Sequence, residues 1–140
     1  MQHEAEGLSE YNLLLTIPGF GVRTVTSLIG ELGDIRRFHS SNALNAYIGI
    51  DLRHYESGNF VATDHISKRG NAIARKILFK SIQNIAVAGH FHPNHINDFY
   101  QKRKKQSSQP GTKKIAIAAI HRLLRTIYHL VKYNQPYNYQ

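Results

Sequence analysis

The sequence predicts a mainly α-helical domain with one irregular segment. In most of the chain, apolar residues recur every three or four positions, which places them on one face of a helix. A turn with one proline and two glycines separates the first two helical segments, and further glycines and a proline separate the later ones. Only residues 51–66 lack helical spacing, and there Gly58-Asn59 favours an irregular loop or a small β-hairpin.

The first two helices meet at the turn Pro18-Gly19-Phe20-Gly21. Proline has no backbone donor and ends the first helix, and the second helix runs from near Val22 to Gly33. The h-x-x-h-P-G-h-G pattern resembles a helix-hairpin-helix, a module that holds the backbone of nucleic acids. Gly19 and Gly21 are predicted to present backbone N–H groups to phosphate, because no side chain covers them. The alternative is a helical turn that only packs on a core.

The later helices follow the same spacing. Ser40 or Ser41 can cap a short helix that ends near Tyr47. The apolar face of the next helix includes Ile73, Ile77, Ile82 and Ile85. Helices are predicted over about 71–88, 94–105 and 112–132. We expect residues 1–16 to be the end of a linker helix that begins upstream, 17–132 to form the domain, and 133–140 to be a disordered tail.

The positive charge is concentrated in the second half of the chain. The 140 residues carry a formal net charge of +9. Residues 1–64 hold four basic and eight acidic residues, whereas residues 65–140 hold fourteen basic residues and one acidic residue, Asp98. This excess predicts a polyanionic partner, with nucleic acid as the first choice and an acidic protein or membrane headgroups as the alternatives.

Several classes of protein are excluded by composition. The absence of cysteine rules out disulfides and thiolate metal sites. No apolar run approaches the roughly 20 residues of a membrane span, and the N-terminus has no hydrophobic region of a signal peptide. We therefore expect a cytoplasmic protein that does not bind membranes.

Ser57, on a glycine-bounded loop, is the candidate nucleophile. Two histidines, His54 and His65, can move protons near neutral pH. Four cations nearby can neutralise a phosphodiester and stabilise the charge of a transition state: Arg53, Lys68, Arg69 and Arg75. This combination suits a serine that attacks phosphorus in DNA. The alternative is that Ser57-Gly58 is only a turn.

Further candidate phosphate contacts follow. Asn71 can cap the next helix, bind a phosphate at its N-terminus, or do both. Two basic runs flank a polar loop and are predicted to contact nucleic acid. They consist of Lys102, Arg103, Lys104 and Lys105, then Lys113 and Lys114.

No metal site is predicted in this chain. His90, His92 and His95 have a spacing that can hold zinc, but the sequence offers no clear fourth ligand. The alternative is a polar turn between helices. The nine acidic residues are scattered, and the sequence has no magnesium-binding carboxylate cluster, Walker loop or dinucleotide fingerprint.

An ordered series of motifs spans about residues 10–132. It consists of TIPGFG at 16–21, ELGD at 31–34, YIG at 47–49, Ser57-Gly58, ISKRGN at 66–71 with Arg75, Phe99-Tyr100, and LLR at 123–125. In this order the motifs resemble the C-terminal domain of the insertion-sequence 110/116/902 transposase family, the bridge-RNA-guided recombinases related to the Piv invertase.

The resemblance implies a function. Residues 17–132 would be the transposase C-terminal domain, and Ser57 would attack DNA to form a phosphoserine link, with Ser67 as the weaker candidate. A guide RNA would choose the DNA sites, and the full-length protein would be a homo-oligomer. Magnesium is expected only in an N-terminal, RNase-H-like half, so this chain would hold no cofactor.

Two departures from the family pattern qualify this interpretation. Asp51-Leu52-Arg53 stand where the family usually has a proline. The metal-binding half is not in the sequence, so we expect a C-terminal part of a longer transposase that does not transpose alone. The alternative functions are a non-catalytic helix-hairpin-helix module that binds DNA or RNA and a helical protein-interaction domain.

Overall fold

A computed structural model describes residues 9–50, 71–106 and 113–139. Within these ranges the chain forms six α-helices and one short 3-10 helix, and no residue of them lies in a β-strand. The predicted mainly α-helical class is confirmed, whereas the loop or hairpin at 51–66 lies outside the described residues. The helices are α1 (Ser9–Leu15), α2 (Val22–Leu32), α3 (Ser41–Ile48), α4 (Ala72–Ala88), α5 (His95–Gln106) and α6 (Lys113–Tyr133), and the 3-10 helix is Ile35–Arg37.

The longest helix, α6, lies at the centre of the core. It packs against α1, α3, α4, α5 and the 3-10 helix. Its fully buried residues repeat every three or four positions, as the sequence predicts, so that one face is apolar along the whole helix. They include Ile117, Ile120, Leu124, Ile127 and Val131. Neither α6 nor another helix in the described part of the chain is long and apolar enough to cross a membrane.

Helix α4 buries most of its predicted apolar face but not Ile73. Its buried residues are Ala74, Leu78, Ser81, Ile82 and Ile85. Ile73, one residue before the first of them, is 59% exposed, and the prediction that it faces inward is wrong. Ala74, Leu78, Ile82 and Ile85 are spaced by three or four residues and therefore lie on one face of the helix. Ile73, next to Ala74, points away from that face and from the core.

The turn between α1 and α2 lies directly on α4. Gly19 has a φ of +91°, a conformation that side-chain-bearing residues rarely adopt. A Cβ atom at this position would lie 2.8 Å from both the N and the Cα of Ile85. Glycine therefore allows the turn to approach the α4 backbone more closely than any other residue could.

Local caps fix where the helices begin and end. The side chain of Ser40 accepts a hydrogen bond from the backbone N–H of Ala43, and Asp34 does the same for Arg36 in the 3-10 helix. Gly33 ends α2 and Gly49 ends α3, both with positive φ. The predicted C-terminal glycine of α2 is thereby confirmed, and Ser40 is the serine that caps α3.

The segment after α6 runs back along the domain. The backbone N–H of Tyr137 donates to Thr16 Oγ1 at 2.7 Å. The Tyr137 hydroxyl accepts from the backbone N–H of His95 at 2.7 Å, and so satisfies one of the free donors at the start of α5. The Tyr139 hydroxyl donates to Asp98 Oδ2 at 2.6 Å. These contacts attach the segment to Thr16, just after α1, and to the first turn of α5.

A buried carboxyl group lies in the first turn of α1. Only 3% of the Glu10 surface is exposed, and its Oε2 has no hydrogen-bond partner among the described residues. Burial raises the pKa of Glu10, and the nearby Asp34 raises it further, while a hydrogen bond from the backbone N–H of Ile35 and the charge of Arg36 lower it.

Glu10→Gln is expected to stabilise the fold at neutral pH. A folded-state pKa above the unfolded one means that stability falls as pH rises through this interval, because the folded state binds more protons there. Glutamine removes the charge and keeps an acceptor for Ile35. We expect the free energy of unfolding to rise by about 1 kcal/mol at pH 7. Urea unfolding followed by circular dichroism at pH 7 and at about pH 3.5 checks this, and a gain of equal size at both pH values would contradict it.

Candidate nucleic-acid interface

Several predicted site residues lie outside the described part of the chain. They are Ser57, Arg53, Lys68 and Arg69, together with the second serine, Ser67. Lys113 is the first residue of α6, and Lys114 is exposed on the same turn. The role of Ser57 as the nucleophile therefore stays a prediction.

The N-terminus of α4 is attached to two other helices by predicted nucleic-acid contacts. Asn71 accepts from the backbone N–H of Ala74 at 3.0 Å, which confirms it as the N-cap, and its amide donates to Glu31 of α2 at 3.2 Å. Arg75 donates to the carbonyl oxygen of Ile48 at 2.8 Å, at the end of α3. Both side chains thus hold α4 in place next to residue 71, where the segment with Lys68 and Arg69 joins the helix.

The two glycines of the first turn occupy different environments. Gly19 faces the backbone of α4, as described above, whereas a Cβ atom at Gly21 would meet nothing within 4 Å. Gly21 is exposed and precedes Val22, the first residue of α2, with a φ of −98°. No side chain caps this helix, so the N–H groups of its first turn face the surface near Gly21. Of the two predicted contacts, Gly21 is the one whose backbone a phosphate can approach.

The basic run on α5 is fully on the surface. All four residues, Lys102, Arg103, Lys104 and Lys105, are exposed. Two of them lie over aromatic rings of the preceding turn, with Arg103 5.6 Å from the centroid of Phe99 and Lys104 5.1 Å from that of Tyr100. These rings position part of the run without burying its charge.

Sequence analysis missed a second basic surface, on α6. Arg122, Arg125, His129 and Lys132 are spaced three or four residues apart and follow one face of the helix. Arg122 lies 4.3 Å from the centroid of Phe99, so this face adjoins the basic run of α5 through a shared ring. The signal was present in the spacing of the cations, which is as regular as that of the apolar residues on the opposite face.

This face of α6 forms the floor of a cleft with a volume of about 590 Å³. One wall is formed by Ser41 at the start of α3, and the other by His95, Tyr137 and Asn138. Tyr128 and Tyr133 add aromatic rings, and none of the described residues that line the cleft is acidic. The arrangement combines cations with accessible aromatic surface, the two features with which proteins bind unpaired nucleic acid.

The histidines between α4 and α5 are not gathered as metal ligands. His90 and His92 are exposed on the turn, and His95 forms ring contacts with Tyr137 and Tyr139 at centroid distances of 6.0 and 4.9 Å. No group of three or more histidine or acidic side chains that could hold a metal ion occurs in the three described ranges.

A small helical domain with an extended basic surface is typical of proteins that bind polyanions. The sequence model of the transposase IS116/IS110/IS902 family matches residues 11–101, and the chain belongs to this family. The resemblance predicted from the ordered motifs is thereby confirmed.

The relatives are transposases and DNA-inverting proteins. The chain is 35% identical over 130 residues to the pilin gene-inverting protein of Moraxella bovis, which covers 91% of the chain and 38% of the relative. It is 44% identical over 63 residues to the transposase for insertion sequence element IS1111A of Coxiella burnetii, covering 45% of the chain and 17% of the relative. The chain thus spans less than two-fifths of the length of these relatives. No solved structure gives a significant match.

Proposed function

We propose that this chain is the DNA-binding, serine-bearing domain of a transposase, and that Ser57 attacks a DNA phosphodiester during recombination. The observation that carries the proposal is the family match over residues 11–101, which includes Ser57 and the cations close to it in sequence. The relatives include an insertion-sequence transposase and a pilin gene-inverting protein, and both names describe the rearrangement of DNA.

The proposed reaction exchanges one phosphate ester for another. Ser57 Oγ forms a bond to phosphorus and loses its proton, while the bond from phosphorus to one sugar oxygen breaks and that oxygen takes up a proton. The product is a phosphoserine link to one DNA end and a free hydroxyl on the other. Because the number of phosphate esters is unchanged, a second hydroxyl can reverse the step and rejoin the DNA.

The cations would supply binding and electrostatic stabilisation. Arg53, Lys68 and Arg69 are near Ser57 in sequence, and the basic run on α5 would extend the contact along the backbone. We further propose that a guide RNA and additional copies of the protein take part, and that the reaction takes place in the cytoplasm. The magnesium site is proposed for the sequence that the relatives have beyond the matched region, and no step is assigned to it here.

A covalent trap tests the role of Ser57. A full-length family protein that carries this domain is mixed with its guide RNA and labelled DNA, denatured, and separated on a gel. We expect a protein–DNA adduct that is stable to denaturation and is lost completely in Ser57→Ala. Ser67→Ala is the matched control, since it removes the other serine of the same region, and we expect it to retain the adduct.

The outcomes separate the alternatives. An adduct that persists in Ser57→Ala but disappears in Ser67→Ala would transfer the nucleophile to Ser67. DNA binding without an adduct in the unaltered protein, under conditions where recombination proceeds, would favour the non-catalytic helix-hairpin-helix module. Failure to bind DNA or RNA at about 50 mM salt, where phosphate contacts are strongest, would overturn both.

A further inference from the structure

We propose that the cleft on α6 binds an unpaired stretch of nucleic acid. This inference rests on the proposed nucleic-acid-binding function and adds to it a defined surface and a single-stranded ligand. The volume of about 590 Å³ is in the range of pockets that enclose one small ligand. It suits a few nucleotides, whereas a duplex would have to lie across the opening.

The charge of the cleft selects an anionic ligand. Arg122, Arg125 and Lys132 contribute three positive charges to one side of α6, and the described residues that line the cleft include no acidic side chain. Asp98, which is not part of the lining, accepts a hydrogen bond from the Tyr139 hydroxyl. The three residues are spread over ten positions, which corresponds to about 15 Å along a helix. That length matches a strand with several phosphates better than a single phosphate ion.

The aromatic residues select bases. Tyr133 is 56% exposed, and its ring lies 4.7 Å from that of His129 and 5.7 Å from Lys132 Nζ. A ring that is open on the surface beside a lysine ammonium group can stack on a base while the lysine binds an adjoining phosphate. Bases in a duplex are already stacked on one another, so this contact favours an unpaired strand.

The cleft is formed before any ligand binds. The wall that includes the segment after α6 is held by the hydrogen bonds of Tyr137 to Thr16 and to His95. The Tyr128 hydroxyl, on α6 itself, donates to the carbonyl oxygen of Phe38 at 2.9 Å. Because these hydrogen bonds within the protein already hold Tyr128 and Tyr137 in place, binding costs less ordering of the protein than it would at a loop.

Fluorescence anisotropy with three labelled probes tests the proposal on the full 140-residue chain: a ten-nucleotide dT strand, a ten-nucleotide U strand and a DNA duplex. Tyr133→Ala removes the stacking ring, and we expect about a tenfold weaker Kd for the single strands and a smaller change for the duplex. Phe91→Ala is the matched control, because Phe91 is 80% exposed on the turn before α5 and is not part of the cleft.

Charge is tested with paired substitutions that change the net charge equally. Arg125→Ala with Lys132→Ala is expected to reduce the slope of log K against log salt by about 1.4 for single strands, the value for two lost phosphate contacts. Lys76→Ala with Lys80→Ala, on the exposed side of α4, is expected to leave that slope unchanged. The comparison of the dT and U strands tells whether the ligand is DNA or RNA.

Two results would overturn the proposal in distinguishable ways. If the unaltered chain binds the probes and Tyr133→Ala behaves like Phe91→Ala, the cleft is not the site, although the proposed function stands. If the unaltered chain binds neither single strands nor duplex at about 50 mM salt, the proposed function itself fails. Tyr133→Phe keeps the ring and is expected to bind like the unaltered chain, which separates loss of stacking from loss of fold.

Discussion

Gly19→Ala is expected to lower the free energy of unfolding by about 3–5 kcal/mol, the sum of two separate costs. The first is the φ of +91°, which a residue with a Cβ atom adopts only with strain. The second is steric, because the new Cβ would lie 2.8 Å from the Ile85 backbone and 3.0 Å from the carbonyl carbon of Asn84. Backbone in the middle of a helix cannot move aside as a flexible side chain can, so the turn must separate from α4.

Gly21→Ala, two residues away, is the matched control. Its φ of −98° is open to alanine and its Cβ would meet nothing, so we expect a change within about 1 kcal/mol. Urea unfolding of both variants followed by circular dichroism gives the comparison. A domain of this size has a total stability of about 5–15 kcal/mol, so Gly19→Ala removes a large part of it. Equal destabilisation by the two substitutions would contradict the close approach of the turn to α4.

The two glycines also show where sequence reasoning reaches its limit. The turn itself follows from local chemistry, because proline and glycine have distinct backbone preferences. Which glycine faces the protein and which faces solvent depends on α4, which begins about 50 residues later in the chain. A pattern that gives both positions the same role therefore cannot distinguish packing from exposure.

Helical faces and caps were predictable for the same local reason. Val25, Leu28, Ile29 and Leu32 have the three- or four-residue spacing of one helical face, and all four are buried in α2. The cap formed by Asn71 was also predicted, since it depends only on residues three positions apart. Ile73 was placed on the wrong face of α4, because the helix has so many apolar residues that spacing alone permits several orientations.

Long-range contacts were beyond the reach of the sequence. Arg75 was predicted to contact nucleic acid as one of the cations that follow Ser57 in sequence, and the structure shows that it also donates to the carbonyl oxygen of Ile48, 27 residues earlier. The cleft on α6 requires residues from α3, α5, α6 and the C-terminal segment, and no single stretch contains that arrangement. The cations on α6 were spaced regularly, but only the walls beside them make the surface a candidate site.

Leu124→Ala is expected to lower the free energy of unfolding by about 3–4 kcal/mol, because it removes buried apolar surface and leaves a cavity. Leu124 is completely buried and lies near the middle of α6, the helix against which α1, α3, α4, α5 and the 3-10 helix all pack. A void at this point is bounded by several helices at once, so no single helix can shift to fill it. Urea unfolding followed by circular dichroism measures the loss.

Arg125→Ala, at the next position, is the matched control. It tests whether the exposed face of α6 serves ligand binding while the buried face serves stability. Arg125 is exposed and lines the cleft, so alanine there is expected to change stability by less than about 0.5 kcal/mol. It should nevertheless weaken binding of single strands, if the cleft is the site proposed above. Loss of stability in Leu124→Ala together with loss of binding in Arg125→Ala would mean that adjacent residues of one helix separately maintain the core and the ligand surface. Comparable loss of stability in both variants would instead make Arg125 part of the packing and remove it from the proposed site.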